Sequence, residues 1–344
     1  MEFGSNYQFN THFGESLKFS RVLKNNCYFF TSGRVAISFI IDKLKIDKIY
    51  LPNFLCEQVF ECFNKLNKNF YQISNSFEYL SGLENIEDNS IVFVSNYFGL
   101  SNEIKILDIL EKVKKSKNIV VIYDITHSLY STKNSNVVDY YVASVRKWLP
   151  IPDGGLLSCN EKFDIEFEDE PKDMVKDFVY ASVLKLLYVN SIEADESLNK
   201  EYRSLFVNCE ENLSKTSKLC CISNYSKNFI NNFNSECLIQ RKKNYELLAK
   251  TLNNRNIKLC FNNCLRGGVD IPFSMPILCE KRNELRRYLM ENQVYCAIHW
   301  NQDFMPESAK KEELSNQILS IPIDERYTSE DIKLLAKILN KFGE

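Results

Sequence analysis

The chain has 344 residues, 44% of them apolar, which is enough for one large core or two domains, and its formal net charge of −2 argues against a polyanion partner. Its 12 cysteines form no C-x-x-C pair (Cys220 and Cys221 are adjacent, Cys260 and Cys264 four apart), and with only His12, His127 and His299 beside them no metal site is expected. The opening MEFGSNYQFNTHF lacks the basic and apolar regions of a signal peptide, and no run approaches the ~20 apolar residues of a membrane span, so a cytoplasmic protein with reduced thiols and no membrane or nucleic-acid partner is expected.

Residues 1–25 read as an arm with little periodicity. Phe29-Phe30-Thr31-Ser32-Gly33-Arg34 follows, and apolar residues then recur from Val35 to Leu44 as in a helix. Thr-Ser-Gly before a helix can seat a phosphate on free backbone N–H groups at the positive end of the dipole, with Gly33 allowing close approach. A plain N-cap by Ser32 is the other reading. Residues 49–51, 70–73 and 91–95 read as strands, and the last leads into Asn96-Tyr97-Phe98-Gly99. Residues 104–113 read as an amphipathic helix. Alternating helices and strands from about residue 30 to 160 argue for a mostly parallel α/β sheet, whose ligands sit at the carboxyl ends of the strands.

The chemistry concentrates in residues 119–158. The apolar, β-branched run 119–123 reads as a buried strand ending on Asp124, with His127 three residues on. A second strand, residues 140–145, delivers Arg146 and Lys147. Pro150, Pro152 and Gly154-Gly155 then force a turn before Leu156-Leu157 resume a strand. One acid and one lysine at strand ends suffice to hold pyridoxal phosphate. The amine condenses with the aldehyde, and the carboxylate keeps the pyridine nitrogen protonated. Burial and the neighbouring Arg146 would favour a neutral amine at Lys147. A surface salt bridge between the two strand ends is the competing reading.

These residues resemble the DegT/StrS-type sugar aminotransferases of the fold-type I superfamily. That family's pattern is a strand, Asp, two small residues, Gln or His, and then a Lys followed seven and eight residues later by Gly-Gly. Asp124 and His127 match the first part, and Lys147 with Gly154 and Gly155 the second. There are departures: Arg34 replaces a Thr and adds a cation beside the phosphate seat, Cys56 stands where an aromatic covers the ring, and Arg146 and Trp148 flank the lysine. Phe54 is read either as that ring's cover or as core. Ser144 is a phosphate candidate three residues before the lysine, where sugar aminotransferases place their Ser five before.

Further along, residues 161–215 are the least readable, with an acidic run at 166–170 expected as a solvated loop and a helix over 174–188. Ser223-Asn224-Tyr225 precedes a long helical pattern over 229–252, strands are expected around Gly267-Gly268 and over 294–300, and helices over 285–292 and 329–339. The last starts at Thr328-Ser-Glu-Asp.

The resemblance implies an α/β fold-type I PLP-transferase. Its large domain, residues 26–215, would carry a mostly parallel sheet flanked by helices, and a smaller α+β C-terminal domain with a linking helix would span 216–344. It implies Lys147 and Asp124 as catalytic residues. Ser32, Gly33, Arg34, Asn96, Asp124, His127, Ser144, Lys147 and Asn224 would bind the cofactor, with Asn224 reaching across a homodimer to a shared active site. Arg146, Tyr97 and His299 would meet substrate; for Arg146 a structural salt bridge, for Tyr97 and Asn96 a tight turn, for His127 a buried histidine satisfied by backbone, for Asn224 a helix cap or turn residue, and for His299 a surface strand are the alternatives. The implied partners are an amino donor, glutamate, and a keto sugar, nucleotide-linked, in surface-polysaccharide or amino-sugar synthesis. Three other readings stay open: a PLP enzyme acting on a small amino-acid or phosphorylated substrate, a non-catalytic PLP-fold protein, and an unrelated α/β enzyme. Lys147 argues against the family's dehydratase branch, which carries histidine there.

Overall fold

The computed structural model describes residues 2–9, 24–74, 77, 80–101, 103–191, 195–215, 219–261 and 271–343. In chain order the elements begin with β1 (Asn26–Phe30), α1 (Gly33–Leu44), β2 (Lys48–Pro52), α2 (Glu57–Phe60), β3 (Asn67–Ile73), β4 (Leu80–Ser81) and β5 (Ser90–Ser95). Next come α3 (Glu103–Ser116), β6 (Ile119–Asp124), β7 (Tyr140–Ser144), β8 (Gly155–Cys159), α4 (Lys172–Asn190), α5 (Glu196–Lys215) and α6 (Asn224–Asn232). The chain ends with α7 (Ile239–Thr251), β9 (Lys258–Leu259), β10 (Met275–Leu278), α8 (Arg282–Glu291), α9 (Glu312–Gln317), β11 (Ile318–Ile321) and α10 (Ser329–Asn340). These elements group into two compact units, one of residues 6–44 and 141–235, the other of residues 2–5, 45–140 and 236–344.

In the first unit, β1 runs antiparallel to β8 with Phe30 opposite Gly155, and β7 lies beside β8. Helix α1 buries Val35, Ala36, Ile37, Phe39, Ile40 and Ile41, so it is covered on more than one face. Helices α4 and α5 pack as a pair, with Ala181 and Leu184 against Tyr202 and Phe206, and Met174 against Cys209 and Leu213. The sequence reading placed only the first of these helices. The second is legible in retrospect, because its buried Tyr202, Phe206, Cys209 and Leu213 recur at i, i+4, i+7 and i+11. The acidic run 166–170 is largely exposed but not without structure, since Glu168 N donates to Leu219 O at 3.0 Å.

In the second unit, β3, β2, β5 and β6 are parallel neighbours in that order, with β4 antiparallel on the β3 edge. All six β5 residues are buried, which is why that strand reads as a continuous apolar run and not as an alternation. Helix α3 connects β5 to β6 and buries Ile106, Leu110 and Val113. Ser95 and Asp124 are register partners, so β5 and β6 end side by side at their carboxyl ends. A second, antiparallel sheet has the order β11-β10-β9. Helix α10 starts where expected, on a capping box between Thr328 and Asp331.

Some expectations are corrected. The pattern over 229–252 is not one helix: the chain is extended at Phe233, and a 3-10 turn, Ser235–Leu238, separates α6 from α7. Phe229, Ile230 and Phe233 are buried before the break and Leu238, Tyr245 and Leu248 after it. Residues 294–300 form no strand. Among the described residues Val294 bridges Phe3 and Ala297 bridges Ser320, so isolated bridges hold the segment where a ladder was expected. The strand delivering Lys147 stops at Ser144, and Val145–Lys147 is a 3-10 turn. Gly267-Gly268 lie outside the described residues. Among those residues, no helix is long and apolar enough to cross a membrane.

Candidate active site

Each unit gathers part of the expected site residues. In the first, Ser32 is buried at the start of α1, and its Oγ accepts a hydrogen bond from Val35 N at 3.3 Å. The N-cap reading therefore holds for that hydroxyl. Gly33 packs against the end of β7: a Cβ there would sit 3.2 Å from the Ala143 carbonyl and the Ser144 nitrogen. This brings the helix start beside Ser144. Thr31 Oγ1 is buried and has no hydrogen-bond partner among the described residues. A glycine with little room for a side chain and a buried hydroxyl lacking a partner among the described residues, both at a helix N-terminus, fit the phosphate end of pyridoxal phosphate. Arg34 follows, half-buried.

Lys147 ends the 3-10 turn and is exposed, so the burial expected to favour its neutral form is not present in this structure. Within the 3-10 turn that follows Ser144, Val145 is buried, Arg146 half-buried and Lys147 exposed. Arg146 is half-buried and binds Glu210 of α5 in a fork, Nη1 to Oε1 at 2.5 Å and Nη2 to Oε2 at 2.8 Å. The salt-bridge alternative for Arg146 is thus the geometry seen. Asn224 is exposed at the start of α6, and its N and Nδ2 donate to Glu170 at 2.7 and 3.3 Å.

In the second unit, Asp124 is half-buried at the end of β6, where Oδ1 accepts from Thr126 N at 2.8 Å. Asn96 N donates to Asp124 O at 3.0 Å. Asn96 is buried, its Nδ2 donates to Thr132 Oγ1 at 3.3 Å, and its Oδ1 has no hydrogen-bond partner among the described residues. A carboxylate that keeps solvent access beside an amide oxygen lacking a donor suits the ring end of the cofactor. Tyr97 is buried and its OH donates to the Phe54 carbonyl. Burial above all, then Tyr71 and Asp124, raises its phenol well above the ordinary range, so it stays a neutral donor.

His127 is buried and stacks on Phe273, rings 4.5 Å apart and 6° from parallel, with Phe98 at 5.4 Å. One face of the imidazole is therefore taken, and a ring-stacking role would need the other. His299 is buried, not on a surface strand, and its Nε2 shares a 2.8 Å hydrogen bond with Ser320 Oγ. Its ring meets Phe98 and Trp300 edge-on at 5.1 and 5.0 Å. Phe54 is fully buried against Phe77, Tyr97 and Trp300, which makes it core. Phe98 itself holds a left-handed φ of 59°, an uncommon conformation for an aromatic residue. The sequence reading missed Phe273 and Phe98 as neighbours of His127, and it missed Asp153 with Ser223 and Ser226. The only sequence trace of that last group is a Ser-x-x-Ser pair at a helix start and an acid before Gly-Gly.

No protein-family model matches this sequence, and no curated protein matches it either. Solved structures do match. The sugar aminotransferase CalS13 from Micromonospora echinospora is 9% identical, with 96% of this chain and 98% of that one covered at a TM-score of 0.60. DesV from S. venezuelae is 12% identical, with 99% and 91% covered at 0.60. A DegT DnrJ EryC1 StrS aminotransferase from Brucella abortus is 13% identical, with 94% and 87% covered at 0.58. At such identities the likeness is one of fold. The chain has the fold of the sugar aminotransferases of fold type I, with 94–99% of its length covered in these comparisons.

Proposed function

We propose that this protein is a pyridoxal-phosphate-dependent aminotransferase that moves an amino group from glutamate to a nucleotide-linked keto sugar. The observation that carries this reading is the coincidence of fold and motif. A chain with the fold of sugar aminotransferases places an acid at the end of β6 and a lysine just after β7, followed at the family's spacing by Gly154-Gly155.

When bound, the cofactor supplies an electrophilic aldehyde and an electron-withdrawing ring. Lys147 is the residue that attaches it. With the cofactor bound, the Lys147 amine would serve as the base and acid that moves the substrate proton. Asp124 holds a proton on the ring nitrogen. Ser32, Gly33, Arg34 and Ser144, with Asn224 of the partner subunit of a homodimer, take the phosphate, while Asn96 and His127 orient the ring. Tyr97, His299 and Arg146 meet substrate, Arg146 only by releasing Glu210. A cytoplasmic homodimer serving surface-polysaccharide or amino-sugar synthesis completes the reading.

The test is direct. The protein loaded with pyridoxal phosphate should show the visible band of a lysine-bound cofactor. Borohydride should fix the label on Lys147, as located by peptide mass, and Lys147→Ala should lose the band while keeping the fold. Glutamate should bleach the band, and a nucleotide-linked keto sugar should restore it. A label on another lysine, or no label, overturns the assignment. Turnover with glutamate but with no keto sugar replaces the sugar by a small substrate.

A further inference from the structure

Asp153 is fully buried, and none of the roles above uses it. Its carboxylate accepts hydrogen bonds from Ser223 N and Ser223 Oγ, each at 2.7 Å, and from Ser226 Oγ. Ser223 is also the N-cap of α6, its Oγ accepting from Ser226 N at 3.2 Å. The acid thus stands at the positive end of that helix, although 70 residues of chain separate it from Ser223. The backbone beside Asp153 is held as firmly. Gly154 N donates to Thr31 O at 2.7 Å, and Val145 N donates to Gly154 O at 2.8 Å. The second bond closes the neck of the loop that carries Lys147.

We infer that Asp153 is the positioning residue of the Lys147 turn. It ties three segments into one register: the Thr31–Gly33 helix start, the neck of the lysine loop, and the first residues of α6 with Asn224. An apolar side chain could fill the same space, but it could not set direction. Charge-assisted hydrogen bonds do, and a buried carboxylate that lost them would be strongly disfavoured. Burial pushes the pKa of Asp153 up and its serine donors pull it back, so the acid depends on those donors. This tie concerns the chain alone; its effect on cofactor binding rests on the function proposed above.

Amide hydrogen exchange read by mass spectrometry tests the tie without any ligand. In Asp153→Ala, peptides covering 145–155, 30–36 and 223–228 should all exchange at least about tenfold faster, while β5 and β6 stay as in the wild type. Asp153→Asn keeps one acceptor oxygen and should fall between the two. Faster exchange confined to 223–228 would reduce Asp153 to a helix cap and overturn the inference. Should Asp153→Ala not fold, Ser226→Ala removes a single donor and should loosen the same three peptides to a smaller extent; an unchanged lysine loop overturns the inference there too. With pyridoxal phosphate added, the wild type should bind it, and Asp153→Asn should bind it more weakly and shift the pH midpoint of the visible band. A wild type that binds none defeats the proposed function, and the exchange data still decide Asp153.

Discussion

Gly155 lies so close to Ser32 that any side chain on it would overlap the Ser32 carbonyl and the Gly33 nitrogen. The contact joins the start of β8 to the start of α1, where β1 and β8 are in register at Phe30 and Gly155. Because the obstacle is backbone on both sides, rotating a side chain cannot relieve it. Gly155→Ala should therefore destabilise the protein by about 3 kcal/mol or more, read by urea denaturation, and should weaken pyridoxal phosphate binding. Gly33→Ala meets backbone at 3.2 Å, a distance that asks for a shift of only tenths of an ångström, and should cost about 1 kcal/mol. Equal losses for the two would refute the packing account.

The Arg146–Glu210 pair makes a different forecast. Its geometry is a good fork, but the Glu210 side chain is 61% exposed. A double-mutant cycle with Arg146→Gln and Glu210→Gln should give a coupling below about 1 kcal/mol. A rise in KM for the amino donor in Arg146→Gln, with Tm unchanged, would place Arg146 at the substrate.

Asp153 gives the stability a definite pH slope. Burial raises its pKa above the ordinary value of 3.8, so the folded state holds the proton more tightly than the unfolded chain does. Its contribution is complete below the unfolded value and is lost as pH rises through the folded one. A Tm series upward from about pH 4 should therefore decline in part through Asp153, and Asp153→Asn should flatten that part. An unchanged slope in the variant would show that the acid is not perturbed in this way.

Arg241 and Glu325 form a buried pair, Nε to Oε2 at 2.6 Å, with the two side chains 2% and 9% exposed. Arg241 Nη1 also donates to Phe273 O at 2.8 Å, and Phe273 is the ring stacked on His127. Arg241→Met strands the Glu325 charge and should cost about 3–5 kcal/mol in urea denaturation, while adding Glu325→Gln should recover part of that loss. The same variant should alter the chemical shifts of the His127 ring, because its stacking partner loses a backbone anchor.

Thr328→Ala removes one half of the capping box on α10 and should cost about 1 kcal/mol, measurable as a lower Tm. The cooperative unfolding transition should stay single.

How much was legible depends on range along the chain. The strand β6, the helix α1 and the start of α10 are written in contiguous residues: a β-branched run, a 3.6-residue apolar period, a cap three residues before its partner. The same holds for the placement of Asp124 at the end of its strand and Lys147 just past the next one, since strand length and turn residues are local matters. The break between α6 and α7 was not legible, because buried positions recur at helical spacing on both sides of it, Phe229 and Ile230 before and Arg241, Asn244, Tyr245 and Leu248 after, while the chain is extended at Phe233 between them.

What the amino-acid order determined by itself was the alternation of helices and strands, and the positions of Asp124 at one strand end and Lys147 just past the next. The tertiary structure decided what those residues face. It paired Arg146 with Glu210, laid Phe273 on His127, left Lys147 exposed and gave Asp153 its serine donors. The physical reason is that propensity and periodicity act over a few residues. A buried carboxylate, by contrast, is stable only with donors that folding brings from 70 residues away, and no local pattern encodes that distance.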